Sequence, residues 1–275
     1  MKVFLEANSQ ILSCTFENNV TILDPESLTV VKELEAARIQ DEFAKNISTY
    51  DCQDDGQNLT IISSNFFGEL FFKKLSLSNF AEVQYAREIN NSHITSIVSS
   101  PLNSSTFCTG DAEGNLRLWT LGKHLELIRE QIDAHSGSIN CAIWANEHEV
   151  MTAGADDAFK IFDIATFATK HFIYFKDSAI TSLENSSKSG NTLTGHINGT
   201  IRLFDDRVRN KTTAKVFKSH SNLVSRMRFN PEDENIFVSS DYTGRLKVWD
   251  LRTDFPLYSV TCHDENKIFD LLWLG

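Results

Sequence analysis

Short runs of alternating apolar and polar residues, rich in Val, Ile, Leu, Phe and Thr, recur along the 275-residue chain, separated by clusters of Asn, Asp, Gly and Ser. A two-residue period puts every second side chain on one face of a strand and the clusters supply turns, so the pattern predicts an all-β fold of short strands. No helical period longer than about ten residues competes with it. The stretch from Glu33 to Ala44, with its mixed charges, is expected to be a loop containing one helical turn. Nothing in the pattern marks a second domain, so residues 1–275 are expected to form one.

One cassette returns: Asn19-Val-Thr-Ile-Leu-Asp24, Leu116-Arg-Leu-Trp-Thr120, Phe159-Lys-Ile-Phe-Asp163, Ile201-Arg-Leu-Phe-Asp205 and Leu246-Lys-Val-Trp-Asp250, with Gly68-Glu-Leu-Phe-Phe-Lys73 as a worn sixth copy. The terminal positions are 49, 47, 43, 42 and 45 residues apart. A period of about 40–45 residues with this strand pattern is that of β-propeller blades of the WD type. His93, His135 and His220 precede the Trp-Asp position by 27, 28 and 30 residues, where that repeat carries its Gly-His element. The expected fold is therefore an all-β WD-repeat propeller with six blades and the first strand of a seventh. Alternation places the Leu or Val and the aromatic of each cassette between blades and turns Arg117, Lys160, Arg202 and Lys247 outward.

The His, Ser/Thr, Asp and Trp tetrad that knits such blades is expected to be mostly degraded. Only Trp119 and Trp249 keep an indole, and six residues before the aromatic an Asp stands only at Asp156, with Glu113, Asn198 and Thr243 elsewhere. Apolar burial between sheets must then carry most of the stability. After the sixth cassette, Lys267-Ile-Phe-Asp-Leu-Leu-Trp273 reads as another first strand. A propeller avoids bare edges by joining its ends, so this strand is expected to pair with residues 1–6, or else strands are missing.

The formal charge of -11 discourages a general nucleic-acid reading. It is unevenly spread, however: between Arg202 and Arg252 eleven Arg or Lys face seven acids. That sector suits an acidic partner face or RNA phosphates, although several of these side chains alternate with apolar residues along strands and are equally accounted for by solvation. The five cysteines (Cys14, Cys52, Cys108, Cys141, Cys262) are an odd number, scattered singly, and read as reduced core residues rather than a disulfide framework or a thiolate metal site. Residues 1–5 are too short an apolar stretch for a signal peptide, and no run reaches the length of a membrane span.

Candidate chemistry is sparse. There is no G-x-x-x-x-G-K-[ST], G-x-S-x-G, H-E-x-x-H or Gly-rich dinucleotide fingerprint, so no enzyme activity, cofactor or metal is expected. His148-Glu149 and Asp156-Asp157 are adjacent pairs in a loop and a turn, where neighbours point apart. Candidate partner-binding residues are Arg207, Arg209 and Arg252, whose planar forks suit carboxylate or phosphate, and the turn residues Asp111, Asp156 and Asp241, expected to open toward one rim. Asp205-Asp206-Arg207 and Asp250-Leu251-Arg252 also resemble the box by which some propellers dock on a cullin-linked ubiquitin-ligase adaptor; Arg also simply decorates this turn in many WD proteins.

From Ile201 onward the chain resembles a narrower group. Ile201-Arg-Leu-Phe-Asp-Asp-Arg-Val208, His220 with Leu223-Val-Ser225, Asn230-Pro-Glu-Asp-Glu-Asn-Ile236, Gly244-Arg-Leu-Lys-Val-Trp-Asp-Leu-Arg252, Pro256-Leu-Tyr258 and Asp264-Glu-Asn-Lys-Ile-Phe-Asp-Leu-Leu-Trp273 run in the order of the family of WD-repeat subunits of the PeBoW complex. Upstream of Ile201 the resemblance is to propellers at large. It implies a nucleolar scaffold without turnover in large ribosomal subunit maturation and pre-rRNA processing. The implied partners are the propeller of the block-of-proliferation subunit, pescadillo and the pre-ribosomal particle, with rRNA contact, and neither a membrane nor a small-molecule substrate. Set against that family, the chain is expected to lack the N-terminal ubiquitin-like domain, which in the family engages a dynein-like AAA ATPase, and to have a shortened last blade. A cullin-ligase receptor docking through Arg252 remains the alternative, and a propeller hydrolase or lyase is a third, with no channel residues to support it.

Overall fold

The structure is a computed structural model that describes residues 3–4, 12–16, 19–24, 27, 29–35, 47–176, 178–186, 188–205, 213–218, 220–262, 268, 270–271 and 273, with side chains from residue 21 onward. The described residues form two compact units, 1–142 and 143–275. The first holds three four-stranded sheets: β1 Val3–Phe4, β2 Leu12–Phe16, β3 Asn19–Leu23, β4 Val30–Glu35; β5 Ile47–Asp54, β6 Asn58–Asn65, β7 Glu69–Ser76, β8 Glu82–Ile89; and β9 Ile94–Ser99, β10 Thr106–Asp111, β11 Leu116–Leu121, β12 Leu125–Gln131. The boundary falls inside β13 Ile139–Asn146, which forms a sheet with β14 Glu149–Gly154, β15 Ala158–Asp163 and β16 Thr169–Tyr174. The second unit continues with β17 Ile180–Ser186, β18 Asn191–His196, β19 Thr200–Asp205, β20 Thr213–Lys218, and β21 Val224–Phe229, β22 Ile236–Asp241, β23 Arg245–Asp250, β24 Tyr258–Thr261.

The six cassettes are the third strands β3, β7, β11, β15, β19 and β23, including the worn copy at β7. Antiparallel neighbours in simple sequence order make each sheet one up-and-down blade. Val30–Glu35 is a strand rather than the start of the expected loop, and residues 36–46 lie outside the described ones. The described residues of the final segment, Ile268, Asp270, Leu271 and Trp273, belong to no strand. Its expected pairing with residues 1–6 falls largely on residues outside the described ones.

Apolar burial between consecutive sheets supplies the core. In the first unit Ile62, Leu70 and Phe72 pack with Ile94, Ile97, Phe107, Trp119 and Leu125 of the next sheet. In the second, Leu193, Ile201, Leu203 and Phe217 pack with Val224, Met227, Phe229, Phe237 and Trp249. Each fully buried Phe or Leu among these contributes about 2–3 kcal/mol before the cost of ordering the chain. Rings interlock at the joints: Phe237 and Trp249 stack with centroids 5.9 Å apart, and Phe217 meets both edge-on.

Hydroxyls on first strands add polar latches outside the cassettes. Thr95 Oγ1 donates to the carbonyl of Gly110 in its own blade and to that of Ile139 in the next first strand, at 3.1 and 2.5 Å. Thr181 Oγ1 repeats this with Gly195 and Val224, at 3.1 and 2.6 Å, and Ser48 Oγ with Ser64 and Ile94. These residues stand on the polar half of an ordinary strand alternation, so nothing in the local pattern distinguishes them.

Candidate interaction surface

The turn between second and third strands is the most regular feature of the repeat. At Gly68, Gly114, Gly199 and Gly244 the backbone has a positive φ between 78° and 89°, and in the β14–β15 turn Asp157 takes that place at 60°. The carbonyl of this residue accepts the amide of a residue one to four positions past the fourth strand: Asn90 on Gly68, His135 on Gly114, Phe175 on Asp157, His220 on Gly199 and Cys262 on Gly244. This register corrects the assignment of His93. Asn90, three residues earlier, is the equivalent of His220, and His93 matches Leu223, each accepting the turn amide of its own blade. Burial lowers the basicity of His93, whose ring packs on Phe66 with centroids 5.1 Å apart.

The aspartate of the knitting tetrad stands eight residues before the indole, not six, at Asp111 and Asp241. In the last blade the tetrad is complete. Trp249 Nε1 donates to Ser239 Oγ at 2.9 Å, Ser239 lies 2.8 Å from His220 Nε2, and His220 Nδ1 lies 2.9 Å from Asp241 Oδ2. Burial depresses the His220 pKa to about 4 although Asp241 opposes it, so the ring is neutral near pH 7. The pair is thus a hydrogen bond from Nδ1–H to a carboxylate, with the Ser239 hydroxyl donating to Nε2. Burial pushes the Asp241 carboxyl up, but hydrogen bonds from the Thr243 hydroxyl and the Arg245 and Thr243 amides outweigh it.

The other blades vary this network. Trp119 donates to Thr109 Oγ1 at 2.9 Å, while Asp111 takes the Glu113 and Asn115 amides and the Arg117 guanidinium. In the β17–β20 blade, where Phe204 replaces the indole, the imidazole has moved into the strand: His196 joins Thr194 Oγ1 at 2.9 Å to Ser178 Oγ at 3.1 Å. Its burial, with the nearby Arg202 charge, holds it to a pKa of about 4 against a hydrogen bond to the Ser178 carbonyl.

These contacts relocate the turn candidates. Asp111 and Asp241 are 1% and 0% exposed, so their carboxylates cap turns inside the blade instead of opening toward a rim. Asp156 is half-buried and accepts the Ala158 amide. Arg117 does not point outward either: it is held between Asp111 and Glu130. Lys160, Arg202 and Lys247 lie over the rings of Phe172, Phe175 and Trp249, at 5.6, 5.0 and 5.8 Å. Cys52 and Cys108 are buried as expected and Cys141 is half-buried, but Cys262 is exposed; the Cys14 side chain lies outside the described residues.

Of the arginine candidates, Arg207 and Arg209 lie outside the described residues. Arg252 is exposed and turned back on Asp250, with Nε and Nη2 donating to its two oxygens at 2.8 and 2.6 Å. That fork holds the Asp250 pKa down to about 2. Lys215 reaches across from β20 to the Leu251 and Thr253 carbonyls and to Asp254, which ties this corner together.

A second charged cluster went unnoticed in the sequence because its members are far apart along the chain. Arg228 on β21 bonds Glu184 on β17 at 2.9 Å and Asp270 of the final segment at 3.2 Å. Burial raises the Glu184 pKa despite the arginine beside it. Trp273 Nε1 donates to the Arg228 carbonyl at 3.3 Å, and Ile268 and Leu271 pack on Val238. Among the described residues no group of His, Cys, Asp and Glu could hold a metal ion, and no helix is long and apolar enough to cross a membrane.

Comparison with known proteins agrees with this architecture. A family model described as "WD domain, G-beta repeat" matches residues 211–250. A ribosome biogenesis protein WDR12 homolog of Trichoplax adhaerens is 32% identical over 146 residues, covering 52% of this chain and 33% of that protein. Ribosome biogenesis protein YTM1 of Scheffersomyces stipitis is 28% identical over 156 residues, covering 52% and 32%, and a WDR12 homolog of Nematostella vectensis is 23% identical over 215 residues, covering 66% and 50%. The chain thus spans about a third to a half of the length of these relatives. A chain in the crystal structure of a mitotic checkpoint complex superposes with a TM-score of 0.75 at 14% identity, over 94% of this chain and 76% of that one, which is a likeness of fold alone. Four-stranded blades, one matched WD repeat and these relatives make the chain similar in fold to WD-repeat propellers and in sequence to the WDR12 and YTM1 ribosome biogenesis proteins.

Proposed function

We propose that the chain is a non-catalytic WD-repeat scaffold in ribosome biogenesis, acting through protein–protein contacts in large-subunit maturation in the nucleolus. The observation that carries this reading is the similarity to ribosome biogenesis proteins over about half the chain. The chemistry of the blades supports it: the buried imidazoles of His196 and His220 are held neutral inside hydrogen-bond networks, a structural use of groups that could otherwise serve as acid or base. The partners this reading names are pescadillo, the propeller of the block-of-proliferation subunit and the pre-ribosomal particle.

Affinity purification of the tagged protein from its own cells, with and without ribonuclease, tests it. Recovery of both partners and large-subunit proteins, with the two partners persisting after ribonuclease, is the expected result. Charge reversal at Arg207 with Arg209 should weaken that recovery. Capture of cullin-adaptor components in place of these partners, lost on Arg252→Ala, would overturn the reading.

A further inference from the structure

A blade ends in a strand with one free side, and such edges are commonly blunted with charged residues. Here each fourth strand but one carries Lys, Arg or Glu: Lys32 in β4, Arg87 in β8, Arg129 in β12, Lys170 in β16 and Lys215 in β20. The exception is β24, Tyr-Ser-Val-Thr, all four of whose residues are exposed. The two most exposed large apolar side chains among the described residues lie at this edge, Phe255 at 79% and Tyr258 at 73%.

The ladder shows which backbone groups are free to bind. Cys262 N–H bonds the Gly244 carbonyl, and Leu246 and Val248 stand opposite Val260 and Tyr258. Antiparallel bonding alternates, so Tyr258 and Val260 turn their backbone groups toward β23, while Ser259 and Thr261 turn theirs to the open side. The side chains divide the same way. Tyr258 and Val260 extend the apolar face of Leu246 and Val248, whereas Ser259 and Thr261 lie beside Lys247 and Arg245. Both are short, so the positive charge of this face comes from Arg245, which is exposed and contacts Ser221 Oγ at 3.4 Å, and from Lys247, whose ammonium lies over the Trp249 ring.

We infer that β24 is a docking edge for an extended segment of a partner protein, which adds as a fifth strand with apolar residues on the Tyr258–Val260 face and acidic residues on the Arg245–Lys247 face. Backbone bonds to Ser259 and Thr261 supply register, and the alternating side chains supply selectivity. The inference goes beyond the assembly role and stands on this edge alone, so recovery or loss of pre-ribosomal partners does not decide it.

The test is fluorescence anisotropy with the full chain and a labelled peptide Glu-Val-Glu-Ile-Glu-Val-Glu. Saturable binding is expected, weaker by about tenfold or more for the same peptide with Lys for Glu, and by a similar factor in Ser259→Pro, which removes an outward N–H that no ladder bond uses. Ser259→Glu keeps the backbone donor and sets a like charge against the acidic face of the peptide; it should weaken binding too, while circular dichroism stays that of the parent. Absence of binding, equal binding of both peptides, or binding untouched by both variants would overturn the inference. So would self-association abolished by Ser259→Glu, since the edge would then be taken by a second copy.

Discussion

Trp249 and His220 are joined through one oxygen: Ser239 Oγ accepts the indole N–H at 2.9 Å and lies 2.8 Å from the imidazole Nε2. All three side chains lie within the last blade, and Trp249 and Ser239 are buried at 1% and 0% exposure. Ser239→Ala strands two polar groups where water cannot replace the hydroxyl, and should cost about 2 kcal/mol. In a Trp249→Phe background one stranded group is gone, so the same change should cost about 1 kcal/mol less. Urea denaturation of the four proteins of this cycle measures the coupling, and strict additivity would show that the network does not act as a unit.

That network also shows where the sequence was legible. The six third strands could be read because apolar alternation and the closing Asp, Thr or Lys recur at nearly constant spacing. The partners of Trp249 could not be read from a fixed offset, since the loop before each first strand varies in length and a histidine alone does not mark the position: His93 stands in the place of Leu223, and its blade uses Asn90 where the last blade uses His220. The relocated His196 illustrates the same limit, because Thr194-Gly-His196 reads as strand and turn until the fold brings Ser178 beside it. Arg228, Glu184 and Asp270 were out of reach for a simpler reason: separations of 44 and 42 residues place them on different elements, and no local period links them.

The histidines give the protein an acid-sensitive stability. His220 and His196 have pKa values near 4 when folded, against 6.5 for an exposed imidazole. Between these values the unfolded chain binds protons that the folded one refuses, so stability is full above about pH 6.5 and falls as the pH drops toward 4. Each group contributes on the order of 3 kcal/mol across that window. Urea midpoints at pH 7, 6, 5 and 4.5 should decline steadily, and His196→Gln should flatten the slope by roughly half. A flat profile above pH 5 would mean that these rings are protonated in place.

Turn geometry predicts opposite responses at equivalent positions. A Cβ on Gly199 would stand 2.1 Å from the His220 carbonyl oxygen, and φ there is +78°. Gly199→Ala must therefore shift backbone as well as adopt a left-handed conformation, and should cost about 2 kcal/mol or more. Asp157 already bears the left-handed conformation with a side chain, at φ 60°. Asp157→Gly relieves that strain while loosening the unfolded chain, so its net effect should stay within about 1 kcal/mol. Thermal unfolding of both variants distinguishes a clash-limited turn from one in which the residue type is indifferent.

The final segment should be held mainly by charge. Asp270, whose side chain is 2% exposed, bonds the Arg228 guanidinium, and Trp273 reaches the Arg228 carbonyl, while Leu271 and Ile268 cover Val238. Asp270→Ala removes the anchor without opening the Arg228–Glu184 pair, so the amides of Ile268, Leu271 and Trp273 should gain hydrogen exchange while β17 and β21 keep their protection. Arg228→Ala is the harsher change. It leaves Glu184, whose pKa burial already raises, without its cation, and should cost about 2 kcal/mol more than Glu184→Gln, which keeps a neutral acceptor for the Phe229 amide. The Arg228→Ala deficit should shrink as the pH is lowered through the range where Glu184 takes up its proton, since a neutral acid tolerates burial. Urea titrations of Arg228→Ala and Glu184→Gln at pH 7 and pH 5 provide the check: a gap that does not narrow would mean the loss comes from packing of the arginine stem and not from the stranded carboxylate.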